Sequence, residues 1–186
     1  MSQSPIRSVC VYCGSRPGDN PAFAATARET GQRLAQAGYR LVYGAGDVGI
    51  MGAVADGARE VGGARLGVIP THLFGREAQS RADPSLLITE TMHERKKVMF
   101  MNADAVLALP GGPGTLDELF EVLTWRQLGL HSKPVLLLDI DGYWQPLVAL
   151  IDHVIARGFA DASFAGFLTT CTSPDEIMAV LAREIG

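Results

Sequence analysis

Apolar and polar positions alternate along this chain in blocks that predict strands and helices in turn. Short, almost wholly apolar runs are typical of strands buried on both faces. They occur at 9–12, 40–43, 66–69, 86–89, 105–109 and 135–138. Helices are predicted between and after them, over about 20–38, 49–61, 92–103, 115–128, 144–157 and 174–184. This order predicts a doubly wound parallel sheet with helices on both faces, a Rossmann-like α/β fold.

The chain length predicts one domain. A chain of 186 residues with 47% hydrophobic residues can bury one large core. No linker, repeat or low-complexity segment interrupts it, so we expect residues 1–186 to form a single nucleotide-binding domain. The polar stretch from Thr71 to Pro84 is predicted to be a long loop. Asn20, followed by Pro21, is the predicted cap of the first helix.

Composition excludes several kinds of protein. The net charge of −4, without a basic stripe, argues against nucleic-acid binding. No segment approaches the roughly 20 apolar residues of a membrane span, and residues 1–7 lack the apolar part of a secretory signal. We therefore expect a cytoplasmic protein. The odd cysteine count argues against a disulfide scaffold, and Cys10 and Cys13 are predicted to be small buried residues on opposite strand faces.

The turn at 110–115 carries the clearest chemical signal. Gly111, Gly112 and Gly114 join a buried strand to a helix, which exposes backbone N–H groups at the positive end of the helix dipole. This arrangement predicts phosphate binding, although the Lys-Ser/Thr pair of a P-loop is missing. The alternative is a tight connection with a capping box formed by Thr115 and Glu118. Both interpretations can hold together.

A second glycine turn contains Gly44, Gly46 and Gly49 in the spacing of the dinucleotide fingerprint. The following strand ends at Pro70 without the acidic residue that binds ribose in that motif. We expect this turn instead to be a wall that lets a ligand approach the backbone closely. No cofactor is predicted, and no metal, because the four histidines lack metal-ligand spacing.

Two cations lie on the helix before the 105–109 strand. Lys96 shares a helical stripe with Met92, Met99 and Ala103, and Arg95 lies beside that stripe. Cations next to an apolar stripe predict that they face something buried and anionic. The alternative is that their side chains reach along the surface to solvent at a helix start. As cations, they would offset acidic residues that otherwise repel a bound phosphate.

These motifs resemble the LOG (Lonely Guy) family of cytokinin riboside 5′-monophosphate phosphoribohydrolases, many of whose members are labelled "possible lysine decarboxylase". The resemblance rests on Met92-His-Glu-Arg-Lys96 followed by Pro110-Gly-Gly-Pro-Gly-Thr-Leu-Asp-Glu118. It covers about residues 8–180 and includes Cys13–Ser15, Tyr43–Gly46, Gly49–Gly52, Thr124-Trp125 and Asp141–Tyr143. It implies a Rossmann-like homodimer that hydrolyses the N-glycosidic bond of a nucleoside 5′-monophosphate, such as AMP or N6-prenyl-AMP.

The resemblance also implies the site residues. Arg95 and Glu118 match the catalytic pair. The implied substrate contacts are Glu77, Lys96, Gly111, Gly112, Pro113, Gly114, Thr115, Leu116, Asp117 and Thr124. Family members often have Tyr in place of Pro113 and Glu in place of Asp117. Pro113 removes one N–H donor, so these departures bear on substrate preference more than on the reaction.

The implied reaction passes through an oxocarbenium-like state. Glu118 lies about 5 Å along the helix from Thr115, which suits a phosphate held at one end of a ribose and a carboxylate at the other. Glu118 would stabilise the cation or deprotonate water. Arg95 would hold phosphate or ribose, or keep Glu118 ionised.

Two other functions stay open at this point. A nucleotide carrier without catalysis would need the glycine turn alone, and a lysine decarboxylase would need pyridoxal phosphate on a lysine. The expected dimer has candidate apolar surface on the 115–128 helix, whose alternative place is the core, at Leu119, Phe120, Leu123 and Trp125.

Overall fold

The computed structural model of the protein describes residues 6–74 and 85–186. Its strands are β1 (Ser8–Tyr12), β2 (Arg40–Tyr43), β3 (Arg65–Pro70), β4 (Leu86–Thr89), β5 (Ala105–Ala108), β6 (Val135–Leu138) and β7 (Leu168–Cys171). Its α-helices are α1 (Pro21–Gln36), α2 (Gly49–Glu60), α3 (Met92–Met101), α4 (Pro113–Gln127), α5 (Gln145–Ala156) and α6 (Pro174–Ile185). A short 3₁₀ helix, Ala162–Phe167, precedes β7.

The described strands form one parallel sheet in the order β4-β3-β2-β1-β5-β6-β7. The predicted doubly wound, Rossmann-like fold is confirmed. The chain winds outward from β1 in one direction and then from β5 in the other, so these neighbours flank the point where the strand order reverses. Tyr12 pairs with Ala108 in register, and both strands therefore release their loops at the same edge. Ligands of such sheets bind in the crevice at this point.

The sheet has a hydrophobic core on each face. Alternate residues of β1 divide between them, because successive strand residues point to opposite sides. Val9 and Val11 pack with α1, α2 and α6, whereas Cys10 and Tyr12 pack with α3, α4 and α5. Cys13 joins the first core, so the prediction of two buried, unpaired cysteines on opposite faces is confirmed.

Most element bounds match the prediction, and strands 40–43, 86–89 and 135–138 match residue for residue. The prediction missed β7 and the 3₁₀ helix before it. β7 is an edge strand whose two central threonines, Thr169 and Thr170, are exposed. It therefore lacks the continuous apolar run by which buried strands are recognised.

The caps of the helices confirm one prediction and correct another. Asn20 caps α1 as predicted, since its Oδ1 accepts a 2.9 Å hydrogen bond from the Ala22 N–H. The alternative interpretation of a Thr115–Glu118 capping box is wrong: α4 begins at Pro113, and its cap, Gly112, has no side chain. The capping box belongs instead to α3, where Thr91 and Glu94 exchange two 3.1 Å hydrogen bonds.

The predicted 71–84 loop lies mostly outside the described residues. Its first part continues from β3 as a turn over 71–73, and Phe74 forms an isolated β-bridge. In the part of the chain that the structure describes, no helix is both long enough and apolar enough to cross a membrane.

Candidate active site

A pocket of about 710 Å³ opens at the carboxyl ends of β1 and β5. Its walls come from the loop after β1, the starts of α2 and α3, and the turn that leads into α4. Arg95 and Glu118 both line this pocket, as expected for groups that share one cleft. The other lining residues are Cys13, Gly14, Ser15, Arg16, Pro17, Gly18, Phe23, Ile50, Met51, Leu73, Met92, Pro110–Thr115, Asp117 and Tyr143.

The 110–115 turn is held in place by the loop after β1. The Gly14 N–H donates a 3.0 Å hydrogen bond to the Pro110 carbonyl. A Cβ atom on Gly111 would lie 2.7 Å from the Gly14 nitrogen and 2.1 Å from Thr115 Oγ1. Gly111 is therefore glycine because two loops and the first helical turn meet at its Cα.

Gly112 and Gly114 are glycine for a different reason. A Cβ atom on Gly112 or Gly114 would meet no atom within 4 Å, and both residues line the pocket. Packing does not require glycine at either place, which leaves close approach of a ligand to the backbone as the physical reason. The first turn of α4 leaves the N–H groups of Gly112, Gly114 and Thr115 without helical acceptors, whereas Pro113 has no N–H. These three donors lie at the positive end of a 15-residue helix, an arrangement that favours anions, and they are called the anion cradle below.

Arg95 is buried, with 5% of its surface exposed. Its Nε donates to the Val68 carbonyl at 3.1 Å and its Nη2 to the Gly44 carbonyl at 2.9 Å. Both acceptors are backbone atoms of the neighbouring strand ends. Among the described residues Arg95 forms no ion pair, so its positive charge is fixed in direction but not cancelled by a carboxylate contact.

The second glycine turn accommodates this arginine. A Cβ atom on Gly44 would lie 1.9 Å from Arg95 Nη2 and 2.9 Å from its Cζ. The space predicted for a ligand at this turn is thus filled at Gly44 by a side chain of the protein itself. The next residue, Ala45, has φ 62° and is buried. A non-glycine residue in this region costs energy that surrounding packing must supply.

Lys96 neutralises the acidic residues of α4. Its Nζ lies 3.0 Å from Asp117 Oδ2 and 3.2 Å from Glu121 Oε2. Burial lowers the pKa of Lys96, but hydrogen bonds to these two carboxylates outweigh burial and raise it. The expectation that a cation offsets the acids near the cradle is confirmed. Lys96 lies 8% exposed and does not line the pocket.

Glu118 lies little more than one turn into α4 and lines the pocket. Its side chain keeps partial contact with solvent, but protein surrounds it closely. This burial raises the pKa of Glu118 to about 7; Arg95 opposes the rise and Asp117 adds to it. A carboxyl group with a pKa near neutrality can hold or release a proton under ordinary conditions, which suits acid–base chemistry.

The structure does not bring every predicted contact into this pocket. Leu116 is exposed beside the cradle, and Thr124 is exposed further along α4, where its Oγ1 donates to the Phe120 carbonyl at 2.7 Å. Neither residue lines the pocket formed by this chain. Glu77 lies outside the described residues.

Sequence reasoning assigned no role to several residues of the pocket. Phe23, Met51 and Tyr143 line it, and the Tyr143 hydroxyl donates to the Gly111 carbonyl. Tyr143 belongs to a motif of the family resemblance, which was the only signal for it. Phe23 belongs to the apolar stripe of α1, and the sequence does not distinguish an apolar residue of the core from one that lines a pocket.

Fold and pocket together define a Rossmann-like α/β protein with an anion cradle, a buried arginine and a protonatable carboxylate in one crevice. A family model described as "Possible lysine decarboxylase" matches residues 51–181. The chain is 45% identical over 183 residues to the cytokinin riboside 5′-monophosphate phosphoribohydrolase LOG of Oryza sativa subsp. japonica, covering 98% of this chain and 76% of that protein. The chain belongs to the LOG family.

Other similarities agree with this assignment. The cytokinin riboside 5′-monophosphate phosphoribohydrolase LOG2 of Arabidopsis thaliana is 37% identical, over 99% of this chain and 86% of that protein. The molybdenum cofactor carrier protein of Chlamydomonas reinhardtii superimposes with a TM-score of 0.75 at 22% identity, covering 97% of this chain and 99% of that one. The similarity to the carrier protein shows a shared fold alone.

Proposed function

We propose that the protein hydrolyses the N-glycosidic bond of nucleoside 5′-monophosphates, such as AMP or N6-prenyl-AMP, to the free base and ribose 5-phosphate. The observation that carries this proposal is Glu118, whose pKa is about 7 and which lies one helical turn beyond an anion cradle in the same pocket. A nucleotide held by its phosphate at that cradle presents its ribose toward this carboxyl group. Relatives named phosphoribohydrolases of cytokinin riboside 5′-monophosphates support the substrate class.

The cradle provides the remote binding energy in this mechanism. The N–H groups of Gly112, Gly114 and Thr115 bind the 5′-phosphate, and this contact orients the sugar before any bond breaks. The bond between the base and the anomeric carbon then lengthens, and positive charge develops on the ribose ring. Ionised Glu118 stabilises that charge and accepts a proton from the water whose oxygen bonds to the anomeric carbon. The base leaves with the electron pair of the broken bond and takes up a proton from solvent.

Arg95 maintains the ionised form of Glu118 in this proposal. Its guanidinium is directed by two carbonyls and has no carboxylate partner among the described residues, so its charge acts on the pocket. That charge opposes the rise in the Glu118 pKa caused by burial. Lys96 acts less directly, since it neutralises Asp117, which would otherwise repel both the phosphate and the catalytic carboxylate.

The lysine decarboxylase description of the family model has no support at this site. Pyridoxal phosphate chemistry requires a lysine that can reach the cofactor. The chain has three lysines, Lys96, Lys97 and Lys133, and none lines the pocket. Lys96 is paired with two carboxylates, and the Lys133 Nζ donates to the Phe100 carbonyl at 2.7 Å.

The test is product analysis with AMP, isopentenyl-AMP and the two matching unphosphorylated nucleosides. We expect free base and ribose 5-phosphate from the monophosphates, at a rate far above that from the nucleosides, and loss of most turnover in Glu118→Gln with nucleotide binding retained. Equal rates with and without phosphate would refute the role of the cradle. Binding of AMP without release of adenine would indicate the carrier function instead.

We also propose that the protein is a cytoplasmic homodimer of single-domain chains. Leu119 and Leu123 belong to the core, so they do not provide the interface considered from sequence. Exposed apolar residues remain at the end of α3 and just beyond α4, at Met101, Leu128 and Leu130. Light scattering of the wild type and of Leu130→Asp tests this surface, with a dimer expected for the first and a monomer for the second. The free cysteines are typical of a reducing compartment.

A further inference from the structure

The loop between β6 and α5 reaches across the sheet edge to the anion cradle. Tyr143, in this loop, donates its hydroxyl hydrogen to the Gly111 carbonyl. Its ring packs edge-on against Phe23, with 5.6 Å between ring centroids, and against Trp144 at 4.9 Å. The hydroxyl group is thus held at the cradle by two aromatic contacts as well as by its hydrogen bond.

The same loop is attached to the start of α1. Asp141 has φ 56°, a conformation that few residues other than glycine, asparagine and aspartate adopt readily. Its Oδ2 accepts a 3.1 Å hydrogen bond from Asn20 Nδ2. The other side-chain atom of Asn20, Oδ1, caps α1. One asparagine therefore joins the helix start to the loop that carries Tyr143.

The contact at Gly111 controls a donor of the cradle. The Gly111 carbonyl and the Gly112 N–H belong to one planar trans peptide, in which they point in opposite directions. A hydrogen bond that fixes the carbonyl also fixes the direction of that N–H. Since Pro113 provides no N–H, Gly112 is one of only three donors in the first turn of α4. An unfixed glycine peptide would rotate readily and lose this alignment.

We infer that Tyr143 is a positioning residue for the phosphate group of the substrate, acting through the Gly111–Gly112 peptide. The Asn20–Asp141 contact holds the loop from which Tyr143 acts. This inference rests on the proposed function for the identity of the phosphorylated ligand. It concerns binding of the phosphate, not the chemical step at Glu118.

The test uses Tyr143→Phe, which removes the hydroxyl group and keeps both aromatic contacts. We expect its dissociation constant for ribose 5-phosphate, measured by calorimetry, to rise about three- to tenfold, as for loss of one hydrogen bond. The KM for AMP should rise by the same factor while kcat changes less than about twofold. Tyr39→Phe, which makes the same change outside the pocket, is the matched control and should leave both values unchanged.

Asn20→Ser removes the contact with Asp141 while it keeps the cap of α1. Serine caps helices about as well as asparagine, but its side chain has no amide to donate to Asp141. We expect a rise of about two- to threefold in the ribose 5-phosphate dissociation constant, and no additional rise when it is combined with Tyr143→Phe, because both act through one contact.

Three results would overturn the inference: unchanged ribose 5-phosphate affinity in Tyr143→Phe, the same loss in Tyr39→Phe, or a fall in kcat with KM unchanged. Failure of the wild type to bind ribose 5-phosphate would overturn it as well. Ribose 5-phosphate binding requires no turnover. A wild type that binds this ligand through Tyr143 but releases no base from AMP would refute the proposed function and leave the positioning role in place.

Discussion

Glu118→Gln should make the protein more stable at alkaline pH while it abolishes most turnover. In the folded protein burial raises the pKa of Glu118 from 4.5 to about 7. Below pH 4.5 the carboxyl group is protonated in both states and burial has no ionisation cost. As pH rises from 4.5 to 7, the unfolded chain loses this proton first, so the folded state loses stability across that interval. Above pH 7 the full cost is present.

The size of the effect follows from the same pKa change. At about 1.4 kcal/mol per pKa unit, the cost at high pH is about 3 kcal/mol, an upper value because the carboxyl group keeps partial contact with solvent. Glutamine imitates the protonated form at every pH. Glu118→Gln should therefore exceed the wild type in free energy of unfolding by up to about 3 kcal/mol at pH 8.5, and by about 1 kcal/mol or less at pH 5.

Urea unfolding of both proteins at the two pH values measures this difference, and titration of all other groups cancels when variant and wild type are compared at one pH. Glu184→Gln, a change of the same charge at an exposed position, is the control and should show little pH-dependent difference. A stability difference between Glu118→Gln and the wild type that is the same at both pH values, or a variant less stable than the wild type at pH 8.5, would refute the assignment of a raised pKa to this carboxyl group.

Three further predictions concern the surroundings of the pocket. Gly44→Ala should lower kcat by up to about 100-fold, because its Cβ would displace the Arg95 guanidinium. Gly166→Ala, whose Cβ would meet no atom within 4 Å, should retain full activity. Equal activities of the two variants would contradict this reasoning. Lys96→Met should shift the acidic limb of the kcat/KM pH profile to higher pH by about one pKa unit, because Lys96 lowers the pKa of Glu118. An acidic limb at the same pH as in the wild type would exclude electrostatic coupling between Lys96 and Glu118. Thr91→Ala should lower the free energy of unfolding in urea by about 1 kcal/mol through loss of the α3 cap, whereas an unchanged urea midpoint would show that this cap contributes no stability.

The sequence was sufficient for the features that depend on local pattern. Buried strands such as β5 and β6 are continuous apolar runs, and the glycine turn before α4 is by itself enough to predict an anion site. The Thr-x-x-Glu pattern at Thr91 and at Thr115 shows the limit of this reasoning. At Thr91 it is a capping box, but at Thr115 it is not, because Pro113 occupies the first helical position and moves the helix start two residues earlier.

The local sequence pattern did not predict the contacts that orient the side chains of the site. Arg95 is directed by the carbonyl of Gly44, 51 residues away along the chain, and Tyr143 reaches the carbonyl of Gly111 across 32 residues. Backbone carbonyls are present at every residue, so no side-chain motif marks which ones will act as acceptors. The sheet order, which places β2 beside β3 and β5 beside β6, decides these partners.

The burial of all three native thiols makes the chain a convenient frame for spectroscopic labelling. Cys10, Cys13 and Cys171 are unpaired and buried, and burial raises the pKa of each, which disfavours the nucleophilic thiolate. A single cysteine introduced at an exposed position such as Leu116, beside the cradle, would react with a maleimide dye ahead of the native ones. Fluorescence from that dye would then follow ligand arrival and departure in real time without prior removal of any native cysteine.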